Sequence, residues 1–123
     1  MKTITIGSIT IDPERFLVLK NGIPIVLTKT EFDILYLLMN NAGKVYSRRD
    51  ISKYVWGKEE IGFPRTIDVH ICNIRKKIGK VNDHNVIVVH KKVGYKYNEP
   101  NLYHSGVFPS VPKETNDSLR RNN

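Results

Sequence analysis

The sequence predicts an α+β fold in which a small N-terminal antiparallel sheet, three helices and a C-terminal β-hairpin follow one another. Three observations carry this prediction. Residues 1–27 and 86–97 consist of short β-prone runs set around turn signals. Residues 28–79 carry helix caps and stops at helical spacing. Within 65–78, Ile67, Ile71, Ile74 and Ile78 recur at i, i+4, i+7 and i+11. At about 100° per residue these four fall in a stripe roughly 60° wide, one apolar face of a helix packed on a core.

The elements follow in order. Runs at 3–6 and 9–11 flank Gly7-Ser8, and runs at 16–19 and 23–27 flank Asn21-Gly22, a strong hairpin signal. They imply an antiparallel sheet with one buried face. Thr28 and Glu31 then form a T-x-x-E capping box. The helix it opens buries Phe32, Leu35, Leu38 and Met39, with Ile34 nearby, and Gly43 is its expected stop. An extended stretch at 44–46 leads to Ser47, the cap of a second helix. Asp50 sits in its first turn, Ile51, Tyr54 and Val55 pack inward, and Gly57 ends it. Residues 57–64 read as a loop, with Pro64 favouring a new helix just after it. The third helix, 65–78, closes at Gly79. A polar loop runs through Asn85, a β run at 86–89 follows, 90–94 turns the chain and 95–97 returns it. Residues 98–123 hold three of the six prolines and no periodicity, and are expected to be an irregular or disordered tail beyond a domain at 1–97.

Composition bounds the function. A chain of 123 residues, 40% hydrophobic and 26% charged, has room for one globular domain. No run approaches the ~18 apolar residues of a membrane span, and the alternating N-terminus does not read as a signal peptide. The single cysteine, Cys72, rules out an intrachain disulfide framework and suits a reducing cytoplasm. Of the formal net charge of +8, residues 65–97 carry +6, eight basic groups against Asp68 and Asp83. That is an electrostatic footprint for a polyanion; charge alone does not separate nucleic acid from anionic lipid. No Gly-rich phosphate loop, carboxylate pair or Ser/His/Asp set suggests an enzyme. His70 and Cys72 lie too far apart around the helix to share a metal, and the other histidines show no ligand spacing. Neither a metal nor a cofactor is expected.

The helix at 65–78 shows solvent Arg65, Val69, Cys72, Asn73 and Lys76, with Thr66 and Lys77 on one edge and Arg75 on the other. A tandem helix pair whose second member is basic outside, followed by a lysine-tipped hairpin, describes a winged helix-turn-helix.

The stretches LTKTEFDILYLL at 27–38, GKVYSRRDI at 43–51, VWG at 55–57, RTIDVHICNIRKKIG at 65–79 and VGYKY at 93–97 occur in order. Through them the chain resembles the OmpR/PhoB-type DNA-binding (effector) domain of bacterial two-component response regulators. The resemblance implies sequence-specific binding of double-stranded promoter DNA, with helix 65–78 in the major groove and the 86–97 wing at the minor groove. It assigns Arg65, Thr66, His70 and Arg75 to phosphates, joined by Trp56 and Tyr95 and, from the helix edge, Lys77. Val69, Cys72 and Asn73 face base edges, with Lys76 beside them, and Lys91 and Lys92 form the wing tip. It further implies a homodimer on DNA and a polymerase contact through Glu59, Glu60, Ile61 and Phe63.

The chain departs from that pattern in three ways. Cys72 and Asn73 stand where relatives often have serine or arginine, and asparagine can pair with adenine N6 and N7. The wing reads VHKKVGY where relatives read T-V-R-G-x-G-Y, so lysine replaces a planar fork and the first wing glycine is missing. The chain also opens directly on the sheet, without the length or acidic cluster of a receiver. It is either an effector domain or a stand-alone regulator, and phosphorylation is not assigned to these residues.

Several residues carry two readings. Asp68 either bars wrong bases or pairs with Arg75 or Arg65 to orient them. His70 is a phosphate donor or a plain surface histidine, Trp56 a DNA contact or a packing aromatic. Phe63 either belongs to a polymerase-facing loop or tucks into the core.

Overall fold

The computed structural model describes residues 1–57 and 64–98, without the side chains of 64 and 65. The loop holding Glu59, Glu60, Ile61 and Phe63, and the expected tail from residue 99 on, lie outside the described residues.

Strands β1 (Ile4–Ile6), β2 (Ile9–Asp12), β3 (Leu17–Lys20) and β4 (Ile23–Ile25) form an antiparallel meander in that order. Its register pairs Ile11 with both Ile4 and Val18, and Val18 in turn with Ile25. Ile9, Ile11 and Val18 therefore share the buried face. The β3–β4 turn places both Asn21 (φ 52°) and Gly22 (φ 79°) in the left-handed region. That is the requirement of a type I′ hairpin and the reason Asn-Gly marks it. Phe16 differs from expectation. It stands before the strand at φ 53° and stacks its half-exposed ring on Phe32, 4.5 Å between centroids. The β2–β3 turn needs a left-handed residue there, which overrides phenylalanine's β preference.

Helix α1 (Lys29–Asn40) is the central element. Its capping box is complete, with Thr28 Oγ1 accepting from the Glu31 amide and Glu31 Oε1 accepting from the Thr28 amide. Burial is wider than one face, because α1 is covered on several sides. Tyr36 and Leu37 are buried as well, and the Tyr36 hydroxyl donates to the Lys2 carbonyl. The helix ends on Asn41, ahead of the expected Gly43; the Gly43 amide instead donates to the Tyr97 carbonyl.

Helix α2 (Arg48–Trp56) starts on a second capping box, Ser47 with Asp50, and stops at Gly57. Ile51 and Ser52 are its buried residues, whereas Tyr54 is 45% exposed. The inward packing expected for Tyr54 is only partial, since on this short helix it lies at the margin of the contact. Helix α3 (Pro64–Ile78) begins with proline at the first helical position and buries Ile67, Ile71, Ile74 and Ile78 as one stripe.

Beyond α3, the expected polar loop contains a two-stranded hairpin, β5 (Lys80–Val81) with β6 (His84–Asn85). Asn82 and Asp83, both at positive φ, make its two-residue turn. Asn-Asp is a weaker turn signal than Asn-Gly, and strands of two residues leave no periodicity to read. Strands β7 (Ile87–His90) and β8 (Gly94–Tyr97) form the last hairpin. A core of sheet, helices and hairpin base joins Ile9, Ile11 and Val18 to Leu35, Leu38, Ile51, Ile87 and Tyr97.

Candidate nucleic-acid interface

The position of α3 is set mainly by apolar burial, and four isoleucines under 3% exposed leave it little freedom to rotate. Polar contacts fix its ends. At its C-terminus the Lys20 ammonium, from β3, donates to the Ile78 carbonyl at 2.7 Å and the Lys80 carbonyl at 3.0 Å. A cation there satisfies orphan carbonyls and the negative end of the helix dipole. Near the same end the Lys77 ammonium meets Glu31 Oε1 at 2.6 Å, joining α3 to the start of α1. Burial raises the Glu31 pKa, but the hydrogen bonds from Lys77 and Thr28 outweigh it and hold the carboxyl below its ordinary value.

With the isoleucines inward, the outer face of α3 presents Val69, 57% exposed, together with exposed Cys72 and Lys76 and the half-buried Asn73. Thr66 and His70 are half-buried at the margins. Nδ1 of His70 is buried without a hydrogen-bond partner, and its ring lies 6.1 Å from that of Trp56. Trp56 itself sits on the surface, 36% exposed. The side chain of Arg65 lies outside the described residues.

Three residues of the expected phosphate set are engaged within the protein. The Lys77 ammonium is on Glu31, since the helix edge that carries it faces α1. Arg75 donates through Nε to the Ile87 carbonyl at 3.0 Å. Tyr95 is buried, and its hydroxyl donates to Asp68 Oδ1 at 2.6 Å. Burial first, and the Asp68 carboxylate second, push the Tyr95 phenol above its ordinary value, so it remains a proton donor.

Of the two partners expected for Asp68, Arg75 is turned to the Ile87 carbonyl instead, and the side chain of Arg65 lies outside the described residues. Arg48, the first residue of α2, donates to Asp68 Oδ1 through Nε at 2.7 Å. The α2 N-terminus and the wing both approach α3 at Asp68, while Arg75, two turns on, is drawn to the wing's carbonyl. Burial would raise the Asp68 pKa, but hydrogen bonds from Tyr95 and Arg48 prevail and lower it. The guanidinium carbons of Arg48 and Arg75 lie 5.2 and 5.8 Å from the Tyr95 ring centroid. Arg48 is the member of this surface that sequence reasoning missed. Its partner stands twenty residues along the chain, and no local spacing links them.

The wing rises beside α3. Tyr46 and Tyr95 exchange backbone hydrogen bonds at 2.8 and 2.9 Å, so the connector between α1 and α2 backs the hairpin as a short third strand. Gly94 permits this approach, because a Cβ there would overlap the Tyr46 carbonyl and come within 2.8 Å of the Ser47 Cα. At the tip, Val93 N–H donates to the His90 carbonyl and Lys92 adopts φ 65°. The turn thus keeps a left-handed residue although the glycine of related wings is absent. Lys91 and Lys92 are exposed there, with Val89 and Val93 beside them.

This arrangement, a basic helix seated on a capped partner helix with a hairpin at its side, is a winged-helix DNA-binding fold. Residues 22–97 match the family model described as transcriptional regulatory protein, C terminal. The sensory transduction protein RegX3 of Mycolicibacterium smegmatis is 40% identical over 92 residues, 73% of this chain and 40% of that protein. The DNA-binding domain of CpxR from E. coli superposes with a TM-score of 0.76 at 32% identity, covering 82% of this chain and 100% of that one. The Klebsiella pneumoniae RstA DNA-binding domain, solved in complex with the RstA box, gives 0.72 at 32% identity, over 80% and 98%. The chain belongs to the OmpR/PhoB family of winged-helix effector domains of transcriptional regulators. It spans about 40% of the length of the curated relatives it matches. No helix among the described residues is long and apolar enough to cross a membrane.

Proposed function

We propose that this chain binds double-stranded promoter DNA sequence-specifically, with α3 in the major groove and the β7–β8 wing at the adjacent minor groove. The observation that carries this reading is the outer face of α3. A helix anchored by buried isoleucines turns Val69, Cys72, Asn73 and Lys76 to solvent, the mixture of apolar and hydrogen-bonding tips that reads base edges. Asn73 is the base reader with the sharpest chemistry, through a bidentate pair with adenine. Thr66, His70, Trp56 and Arg65 serve the phosphates. Tyr95 acts from beneath, by holding its neighbours, and Lys77 works within the fold. Lys91 and Lys92 supply charge at the minor groove without arginine's planar geometry.

In this reading residues 1–97 are the binding unit, 98–123 are a tail, and the chain works in the cytoplasm without a cofactor. Two copies occupy an operator, and the loop holding Glu59, Glu60, Ile61 and Phe63 meets RNA polymerase. The test is a salt titration of binding to a duplex selected by the chain from random sequence and to its scrambled counterpart. With about five phosphates neutralised, log K falls against log salt with a slope of about −4 to −5. The selected duplex binds at least about a thousandfold tighter. Equal affinity for both duplexes refutes sequence-specific binding.

A further inference from the structure

We propose that Asp68 is a positioning residue: by holding Arg48 of α2 and the Tyr95 hydroxyl of the wing on one carboxylate oxygen, it sets the angle between α3 and the wing before DNA arrives. The inference rests on the two-groove reading above and adds to it the device that keeps the two reading elements in register.

The geometry is specific. Asp68 Oδ1 accepts from Arg48 Nε at 2.7 Å and from Tyr95 Oη at 2.6 Å, so α2, α3 and β8 meet at a single atom. Both bonds have the short length of charge-assisted pairs. Other contacts also secure the wing, up to the backbone of Tyr95. Ile87 and Tyr97 are buried in the core, and the Tyr46 and Gly43 backbone bonds tie the hairpin to the α1–α2 connector. Among the described residues its polar ties to α3 include two side-chain bonds, Arg75 to the Ile87 carbonyl low on the wing and Tyr95 to Asp68 higher up. Above them Val89, His90, Lys91, Lys92 and Val93 are all exposed. His90 pairs with Gly94 across the hairpin, so Lys91 lies about two residue steps beyond the level of Tyr95, roughly 7 Å. A rotation of about 10° at Tyr95 therefore moves the tip backbone by roughly 1 Å, enough to spoil a hydrogen bond at the minor groove relative to bases held by α3.

The decisive variant is Tyr95→Phe, which removes one oxygen and leaves the ring beneath both arginines; Asp68→Asn is the second. The full chain is used, with the duplex that the wild type selects from random sequence as the probe. Removing the wing charges, Lys91→Ala with Lys92→Ala, is expected to weaken wild-type binding about tenfold and the Tyr95→Phe protein only about twofold. The penalty for Asn73→Ala stays the same in both backgrounds. Without DNA, backbone amides at 89–95 exchange about tenfold faster in Tyr95→Phe and Asp68→Asn, the size of effect expected on losing a hydrogen bond to a charged group. Exchange at Leu35 and Leu38 is unchanged. Equal wing penalties in the two backgrounds overturn the proposal. So does faster exchange throughout the core with both penalties altered alike, the mark of a merely structural role. If the wild type itself prefers no duplex, the function reading fails separately. Amide exchange then decides whether the latch exists, and unchanged exchange at 89–95 refutes it.

Discussion

Helix α3 and the wing are neighbours held in place by different physics. Four buried isoleucines seat the helix, and Lys20 and Lys77 secure its end. The wing buries Ile87, Tyr95 and Tyr97 but exposes 89–93, and its upper half depends on a backbone bridge to Tyr46 and on the Tyr95–Asp68 hydrogen bond. The hydrophobic term is non-directional. Hydrogen bonds are directional and lose their worth over a few tenths of an ångström. Helix α3 is thus the fixed part of the surface, and the wing is the part that can be tuned.

The largest expected effect breaks the helix side of this contrast. Ile71→Ala, at a fully buried site, costs about 3–5 kcal/mol of stability and affects the whole domain, visible as an earlier urea midpoint for every probe. Gly94→Ala breaks the wing side. Its Cβ pushes against the Tyr46–Ser47 backbone and costs about 1–3 kcal/mol, with amide exchange rising first in the wing and at Tyr46. If the two variants loosen the same amides, the helix and the wing are not separately secured.

A smaller effect tests the polar tie at the end of α3. Lys77→Met removes the cation from nearly buried Glu31 and is expected to cost about 1–2 kcal/mol at neutral pH. The folded-state pKa of Glu31 lies below its ordinary value of 4.5. Its contribution is therefore complete above that value and lost as pH falls through the lower folded value. Urea midpoints of the wild type and of Lys77→Met converge on acidification; a constant gap means that Lys77 acts through packing alone.

The smallest effect has the opposite sign. Lys92 occupies a left-handed conformation, φ 65°, that a non-glycine residue adopts at a cost of about 1 kcal/mol. Lys92→Gly is expected to stabilise the domain by about 0.5 kcal/mol and to weaken binding of all duplexes alike through the lost charge. A change in which sequences are preferred would assign base reading to Lys92.

Features decided locally were legible in the sequence. The capping box at Thr28, the cap at Ser47, the Asn21-Gly22 turn and the isoleucine stripe each depend on residues within about a dozen positions, and all four stand as read. The fold class followed from their order. The exposed face of α3 followed too, because burying the isoleucines turns Val69, Cys72 and Lys76 outward. Side-chain partners set by tertiary crossings were not legible. Asp68 takes Arg48 and Tyr95, twenty and twenty-seven residues away, and Lys77 takes Glu31, forty-six residues away. Charges on one helix suggest a local pair, and only packing reveals which other elements also bring a donor. Tyr54 and the β5–β6 hairpin escaped for a related reason, since short elements carry too little periodicity to declare a face.

The most direct test of the central claim is parallel selection of binding sites from random duplex by the wild type and by Asn73→Ala. The account predicts a wild-type motif with a strong adenine preference at one position in each half-site. In the variant that position alone relaxes, affinity for the wild-type motif falls by about 1–3 kcal/mol, and the flanking positions are kept. An unchanged motif would contradict the assignment of base reading to the outer face of α3.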